Sequence, residues 1–176
     1  MDIRITTEPF DQIETQALVS DLYTKDVPLK GHLGILDWRF YGYFSQLFQE
    51  SNLTGRFKET YLVPSKKKTK AHYILLAGLG QKDNVTENKV MVMISIVLRN
   101  LSRLKVKEFA IVPLGWQILG YNKAFRLFVQ QLQRVEPLFP SYFFKKIILY
   151  IPPEAEKESS HLDKILPFIR KKISYV

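Results

Sequence analysis

The chain contains no cysteine, which excludes disulfide frameworks, thiolate zinc sites and cysteine nucleophiles. Imidazole is scarce too. His32, His72 and His161 are the 3 histidines, too few for a histidine-rich metal centre. No stretch nears the roughly 18 uninterrupted apolar residues of a membrane span, the nearest being Val90 to Leu98. Met1 to Phe10 carries acidic and polar residues where a secretory leader needs a basic start and an apolar run, so the sequence reads as cytoplasmic. Low-complexity tracts are lacking apart from Lys66 to Lys70, and there is no internal repeat.

What remains is an ordinary globular composition. Of 176 residues, 46% are apolar and 24% charged, enough to build a core and of a size for one domain spanning 1–176. The formal net charge is +9, and its distribution is uneven. Met1 to Asn88 holds 11 basic and 11 acidic residues, and the remainder holds 15 against 6. The second half thus carries the whole excess, a hint of a polyanion-facing surface.

Alternation of apolar and polar residues predicts strands over Asp2–Thr6 and Ala17–Tyr23. From Leu33 the apolar residues recur at three and four, predicting one helix to about Gln49. Glu59–Val63 and the apolar Ala71–Ala77 read as strands joined by the lysine-rich Pro64–Lys70. So short a link predicts an antiparallel hairpin. Thr86 caps an expected helix in which Val90, Ile94, Val97, Leu101 and Leu104 share one face, with further apolar residues around most of its circumference. Glu108–Pro113 is the next strand, Asn122–Val135 the next helix, Lys146–Ile151 a last strand, and Ser160–Ile173 an expected terminal helix kinked at Pro167. Strand and helix alternate from Ala71 onward, as in βαβ units. The fold class is α/β with a mixed, mostly parallel sheet.

Motifs for chemistry are sparse. Gly78-Leu79-Gly80 follows an apolar strand and precedes a helix, where bare backbone can approach a phosphate. It lacks the third glycine of a dinucleotide fingerprint and the lysine of a P-loop, so an ordinary tight turn is the competing reading. Pro113-Leu114-Gly115-Trp116 occupies the equivalent edge after the next strand. Gly78, Gly80 and Gly115 are therefore the candidate ligand loops. Asp21, Asp26, Asp37 and Glu59 are not paired by spacing for acid and base work, and no Gly-x-Ser-x-Gly elbow marks Ser20 or any other serine. No catalytic residue, metal ligand or cofactor is expected. The aromatics Trp38, Phe40, Tyr41, Tyr43 and Phe44 could stack bases, although at helical spacing they read as core. Tyr142 to Phe144 is harder to place, since three successive aromatics cannot all face inward. Arg103, Lys105 and Lys107, with Lys145 and Lys146, should meet at one edge of the sheet as a polyanion patch, with Lys123 and Arg126 at the opposite edge.

Several segments in order resemble the N-terminal domain of the leucyl aminopeptidase family, the hexameric dizinc peptidases of family M17. They are Phe10-Asp11 with the strand at Gln16 to Val19, Pro28-Leu29-Lys30-Gly31, Gly34-Ile35-Leu36-Asp37, Thr54-Gly55 followed by Glu59-Thr60, Ile74 to Gly80, and Leu104 to Ala110. The resemblance implies a macrodomain-like three-layer fold with helices on both faces of the sheet. In that family peptide hydrolysis belongs to a separate C-terminal domain with an Asn-Thr-Asp-Ala-Glu-Gly-Arg segment, and nothing like it occurs here, so no catalytic or metal-binding residue carries over. Macrodomains proper bind ADP-ribose through glycine-rich loops, whose extended motifs are also missing. The expectation is a non-catalytic binding or assembly module whose partner is protein, through self-association or another subunit. The alternatives are a nucleotide or ADP-ribose binder at the glycine loops and a weak, sequence-independent nucleic-acid binder on the basic half.

Overall fold

A computed structural model describes residues 1–139, 143–159 and 173–175. Among them, β1 (Asp2–Thr6), β2 (Ala17–Tyr23), β3 (Thr60–Pro64), β4 (Tyr73–Gly80), β5 (Glu108–Ile111), β6 (Lys146–Tyr150) and β7 (Ile173–Tyr175) form one sheet in the order β3-β4-β2-β5-β6-β1-β7. Only the β3–β4 pair is antiparallel, with Thr60 opposite Ala77 and Pro64 opposite Tyr73. The lysine-rich link is indeed a hairpin tip. All other pairs are parallel, and parallel strands need both faces covered.

Side-chain alternation along the strands supplies both faces. Ala17, Val19, Leu75, Ala77, Phe109, Ile111, Ile147 and Leu149 point to one core with α3 (Glu87–Arg103) and α5 (Tyr121–Val135). Leu18, Leu22, Ile74, Leu76, Ala110 and Ile148 point to the other, against Phe10 from the turn before β2 and against Leu33, Leu36 and Phe44 of the segment that carries α1 (Gly31–Arg39) and α2 (Tyr43–Gln49). The result is the expected three-layer α/β fold. Thr86 caps α3, its hydroxyl accepting from the Lys89 amide at 3.3 Å. Val90, Met93, Ile94, Val97, Leu98 and Leu101 are all fully buried.

Three expectations of secondary structure need correction. The helix predicted over Leu33–Gln49 is two helices, because Tyr41 (φ 57°) and Gly42 (φ 77°) turn left-handed between them. Asp37 fixes this corner, accepting from the amides of Phe44 and Ser45 at 2.9 and 3.1 Å and so capping α2. Consequently Phe40 and Phe44 are core while Trp38, Tyr41 and Tyr43 are exposed. The apolar strand is displaced, starting at Tyr73 and running to Gly80, so Gly78 and Gly80 end a strand rather than follow one. A short helix, α4 (Trp116–Leu119), occupies what read as loop. The expected helix over Ser160–Ile173 lies outside the described residues except at Ile173, which opens β7. Before it stands a one-turn helix, α6 (Glu156–Ser159). Of the aromatic run, Phe144 is core and packs on Phe109 and Phe139 at ring distances of 5.3 and 5.4 Å, and Phe143 is partly buried. Tyr142 lies outside the described residues.

Replacing the fully buried Ile94 by alanine removes three carbons between helix and sheet. The expected loss is about 2 to 4 kcal/mol, read from the midpoint shift in urea unfolding. A loss below about 1 kcal/mol would contradict this packing.

Candidate functional site

In a parallel sheet the carboxyl ends of the strands are the usual ligand edge. Here that edge is formed by Tyr23, Gly80 and the loop from Val112 to Gly120. At its centre is Asp21 on β2, 2% exposed. Its Oδ2 accepts from the Tyr23 hydroxyl at 2.7 Å and from the Gly115 amide at 2.8 Å. Burial raises the carboxyl to about 6, and the two hydrogen bonds only partly offset that rise. Burial, reinforced by the charge of Asp21, likewise drives the Tyr23 phenol far up, so it remains a donor.

The three glycines have distinct reasons. Gly115 (φ +79°) turns the chain left-handed and leaves no space for a side chain, since a Cβ there would lie 2.7 Å from Val90 Cγ2. The amides that follow are engaged within the loop: Trp116 donates to Pro113, Leu119 to Gly115 and Gly120 to Trp116. Gly78 stands against the backbone of a crossing segment, where a Cβ would lie 2.1 Å from the Arg56 carbonyl oxygen. The Gly78 amide donates to Glu59 and the Gly80 amide to Gly55. All three sequence candidates thus reach the same edge, with their amides bonded inside the protein.

Beside Gly80 opens a cavity of about 660 Å³, lined among others by Thr24, Lys25, Leu53, Arg56 and Phe57. The buried Thr24 Oγ1 has no partner among the described residues. This hollow is not legible in the sequence, because its walls come from three separated segments.

The remaining acidic candidates are structural. Asp26 pairs with Lys82 at 2.7 Å, and Asp37 caps α2. Glu59 accepts from the hydroxyls of Thr54 and Tyr61, which hold its carboxyl below the ordinary value. Ser20 and His32, 12 residues apart, share a hydrogen bond of 2.7 Å. Both are sealed, at 0% and 4% exposure. Burial lowers His32 to about 4, so it is neutral at physiological pH. This pair pins α1 to β2 and has no opening to substrate. Among the described residues no three His, Asp or Glu side chains group as a metal site, and no helix is long and apolar enough to cross a membrane.

The basic candidates lie at the other edge, where the parallel strands begin. The amides of Lys145 and Lys146 both donate to the Lys107 carbonyl, at 2.8 and 3.3 Å. The Lys146 ammonium pairs with Glu108 at 3.0 Å. Arg103 and Lys105 are exposed where α3 returns to β5. Lys123 pairs with Glu87 at the opposite edge.

Residues 22–135 match the family described as the cytosol aminopeptidase family, N-terminal domain. The chain belongs to that family. A probable cytosol aminopeptidase of Sulfurihydrogenibium sp. (strain YO3AOP1) is 24% identical over 97% of the chain but over only 34% of its own length. The chain therefore spans about a third of that relative. Among solved structures, a Trypanosoma brucei macrodomain in complex with ADP-ribose superposes with a TM-score of 0.70 at 15% identity, over 93% of this chain and 68% of that one. A mutant tomato leucine aminopeptidase gives 0.58 at 13% identity, over 95% and 36%. These likenesses establish a macrodomain-like fold shared with the aminopeptidase N-domain.

Asp21 and His32 act oppositely on the pH dependence of folding. A buried carboxyl raised from 3.8 to about 6 favours the folded state increasingly as pH falls through that window. A histidine lowered from 6.5 to about 4 contributes stability that is lost as pH falls through nearly the same range. Each is worth up to roughly 1 kcal/mol per pH unit, so in the wild type they largely cancel. Asp21→Asn keeps an oxygen for Tyr23 and Gly115 but no longer titrates. The variant should lose stability more steeply than wild type between about pH 6 and 4, followed by urea midpoints. Parallel curves would refute the assignment.

Proposed function

We propose that the chain is a non-catalytic binding or assembly module built on the aminopeptidase N-domain, working in the cytoplasm. The supporting observation is the division between interior and surface. The groups with catalytic potential, Asp21, Ser20 and His32, are sealed and hydrogen-bonded inside the protein, whereas large aromatics stand in solvent: Trp38 is 72% exposed and Tyr41 89%. A soluble domain keeps such rings outside the core at a disadvantage that contact with a partner removes. Peptide hydrolysis with two metals needs a set of ligands that the described residues do not assemble.

Purified chain with added zinc or manganese should show no turnover of a leucine anilide. Activity that copurifies and disappears when a carboxylate of this chain is replaced would overturn the reading.

A second reading, nucleotide binding, draws on the cavity beside Gly80 and the Thr24 hydroxyl, which has no partner among the described residues. Against it stand the internal bonding of the Gly78, Gly80 and Gly115 amides and the carboxylate of Asp21, poorly suited to a phosphate neighbour. ADP-ribose should therefore leave the melting temperature unchanged, since only a ligand that prefers the folded state raises it. A rise abolished by Gly80→Val would put nucleotide binding first.

A further inference from the structure

The exposed aromatics and the lysine hairpin meet. Lys68 Nζ sits 3.9 Å from the ring centre of Tyr41 and 5.5 Å from that of Phe40. Arg39 lies over Trp38 at 5.3 Å. Two concavities that share Lys68 open here, one of about 480 Å³ with Trp38, Arg39, Tyr41 and Lys67, the other of about 230 Å³ with Tyr43 and Lys66. Every charged residue lining either of them is cationic.

The surface is preformed. Ser65 and Thr69 are buried beneath the hairpin tip, with the Thr69 hydroxyl donating to Ser65 Oγ at 3.0 Å and the Lys68 amide to the Ser65 carbonyl at 3.0 Å. Above them Lys66 (φ 49°) and Lys67 (φ 64°) hold a left-handed backbone unusual for lysine, and both are exposed. Strain of this kind persists only where the surroundings enforce it. Across the groove Tyr41 (φ 57°) is held likewise at the α1–α2 corner.

The charge continues along the sheet. The hairpin tip lies at the starting edge of β4, next to Gln16, whose carbonyl accepts from the His72 and Tyr73 amides. The side-chain oxygen of the same Gln16 accepts from the Lys107 amide at 2.6 Å. The lysine tip and the Lys107–Lys145 strand starts are thereby neighbours on one edge. Its carboxylates are mostly engaged: Asp11 by Arg39 at 2.9 Å, Glu108 by Lys146. Among the described residues Glu14 is the exposed exception. Among the described residues Lys66, Lys67, Lys70, Lys107 and Lys145 have no carboxylate partner.

We infer that this edge binds single-stranded nucleic acid, with bases stacked on Trp38 and Tyr41 and the backbone running along Lys66–Lys68 toward Lys107. The inference rests on the binding-module reading and names its partner. Exposed aromatic rings beside a cationic track suit any unpaired base, because every base presents a π-face and every nucleotide a phosphate. Protein interfaces are depleted in lysine, and lysine dominates the charge here. A second copy of the chain, equally positive at this edge, is disfavoured by charge. Duplex DNA keeps its bases stacked internally and would meet only the charge.

The test is fluorescence anisotropy with a labelled oligothymidylate of roughly 12 nucleotides, at about 50 and 300 mM salt. The same titration is run with duplex and with polyglutamate as competitor. Binding should weaken with salt and favour the single strand, and polyglutamate should compete poorly. Trp38→Ala and Tyr41→Ala, truncations of exposed rings that open no cavity, should each weaken binding roughly tenfold, and Trp38→Phe should restore most of it. Lys67→Gln should lower the salt slope by about one, while Lys123→Gln at the far edge should change nothing. Equal affinity for duplex, or indifference to the aromatic truncations, would overturn the inference. Tight, ring-dependent binding of polyglutamate would overturn it in favour of an acidic protein. No binding at all would also overturn it, and the leucine-anilide assay, which reads a different property, would still decide the non-catalytic reading.

Discussion

Strand β2 runs through the sheet with all seven residues buried, and any polar atom on such a strand needs a partner inside the protein. Ser20, Asp21 and Tyr23 meet that demand in three directions. Ser20 joins His32 on α1, Asp21 takes the amide of Gly115, and Tyr23 donates back to Asp21. The bonds of Ser20 and Asp21 each seat another element. The helix layer on one face and the loop after β5 are both placed by polar groups of one strand, which is why residues that would suit chemistry serve architecture instead.

That commitment divides the molecule's two sheet edges. At the carboxyl ends the glycine loops fold back on themselves, held by carbonyls and by a partly protonatable carboxylate. At the starting ends the backbone is pinned from below, by Ser65, Thr69, Gln16 and Asp37, and the long cationic and aromatic side chains project outward. A backbone pinned in this way confines the entropy lost on binding to the side chains that meet the ligand.

The sequence read well where one force dominated. The capped α3, the continuous apolar strands and the hairpin follow from periodicity, length and a single Thr86 cap. It read poorly where local and tertiary signals competed. The apolar spacing from Leu33 to Phe48 persists through a corner because Phe40 and Phe44 both reach the core from two different helices. Gly42 and the Asp37–Ser45 spacing were the available clues to the break. The Gly78-Leu79-Gly80 segment resembled a phosphate turn because sequence shows missing side chains but not what fills the space. Here the filler is backbone from residues 55–56. Charge counting and the βαβ order point to Arg103, Lys105, Lys107, Lys145 and Lys146, and give no weight to Lys66–Lys70 in the neutral first half, which the hairpin sets beside exposed rings. The family resemblance is legible in short segments in order between Phe10 and Ala110, and the family match covers residues 22–135.

The contact at Gly78 has one more implication. A loop whose main chain lies directly on a strand, with no side chain between them, has no slack to be drawn out. Residues 53–57 look like an ordinary surface connection between α2 and β3, the kind of segment at which proteases nick folded domains. Cleavage requires a stretch of chain to lift free and extend into the enzyme's cleft, and lifting this one would break the hydrogen bond from the Gly80 amide to the Gly55 carbonyl and strip the Arg56 backbone from Gly78. A connection that irregular in shape is, in terms of proteolytic resistance, part of the sheet.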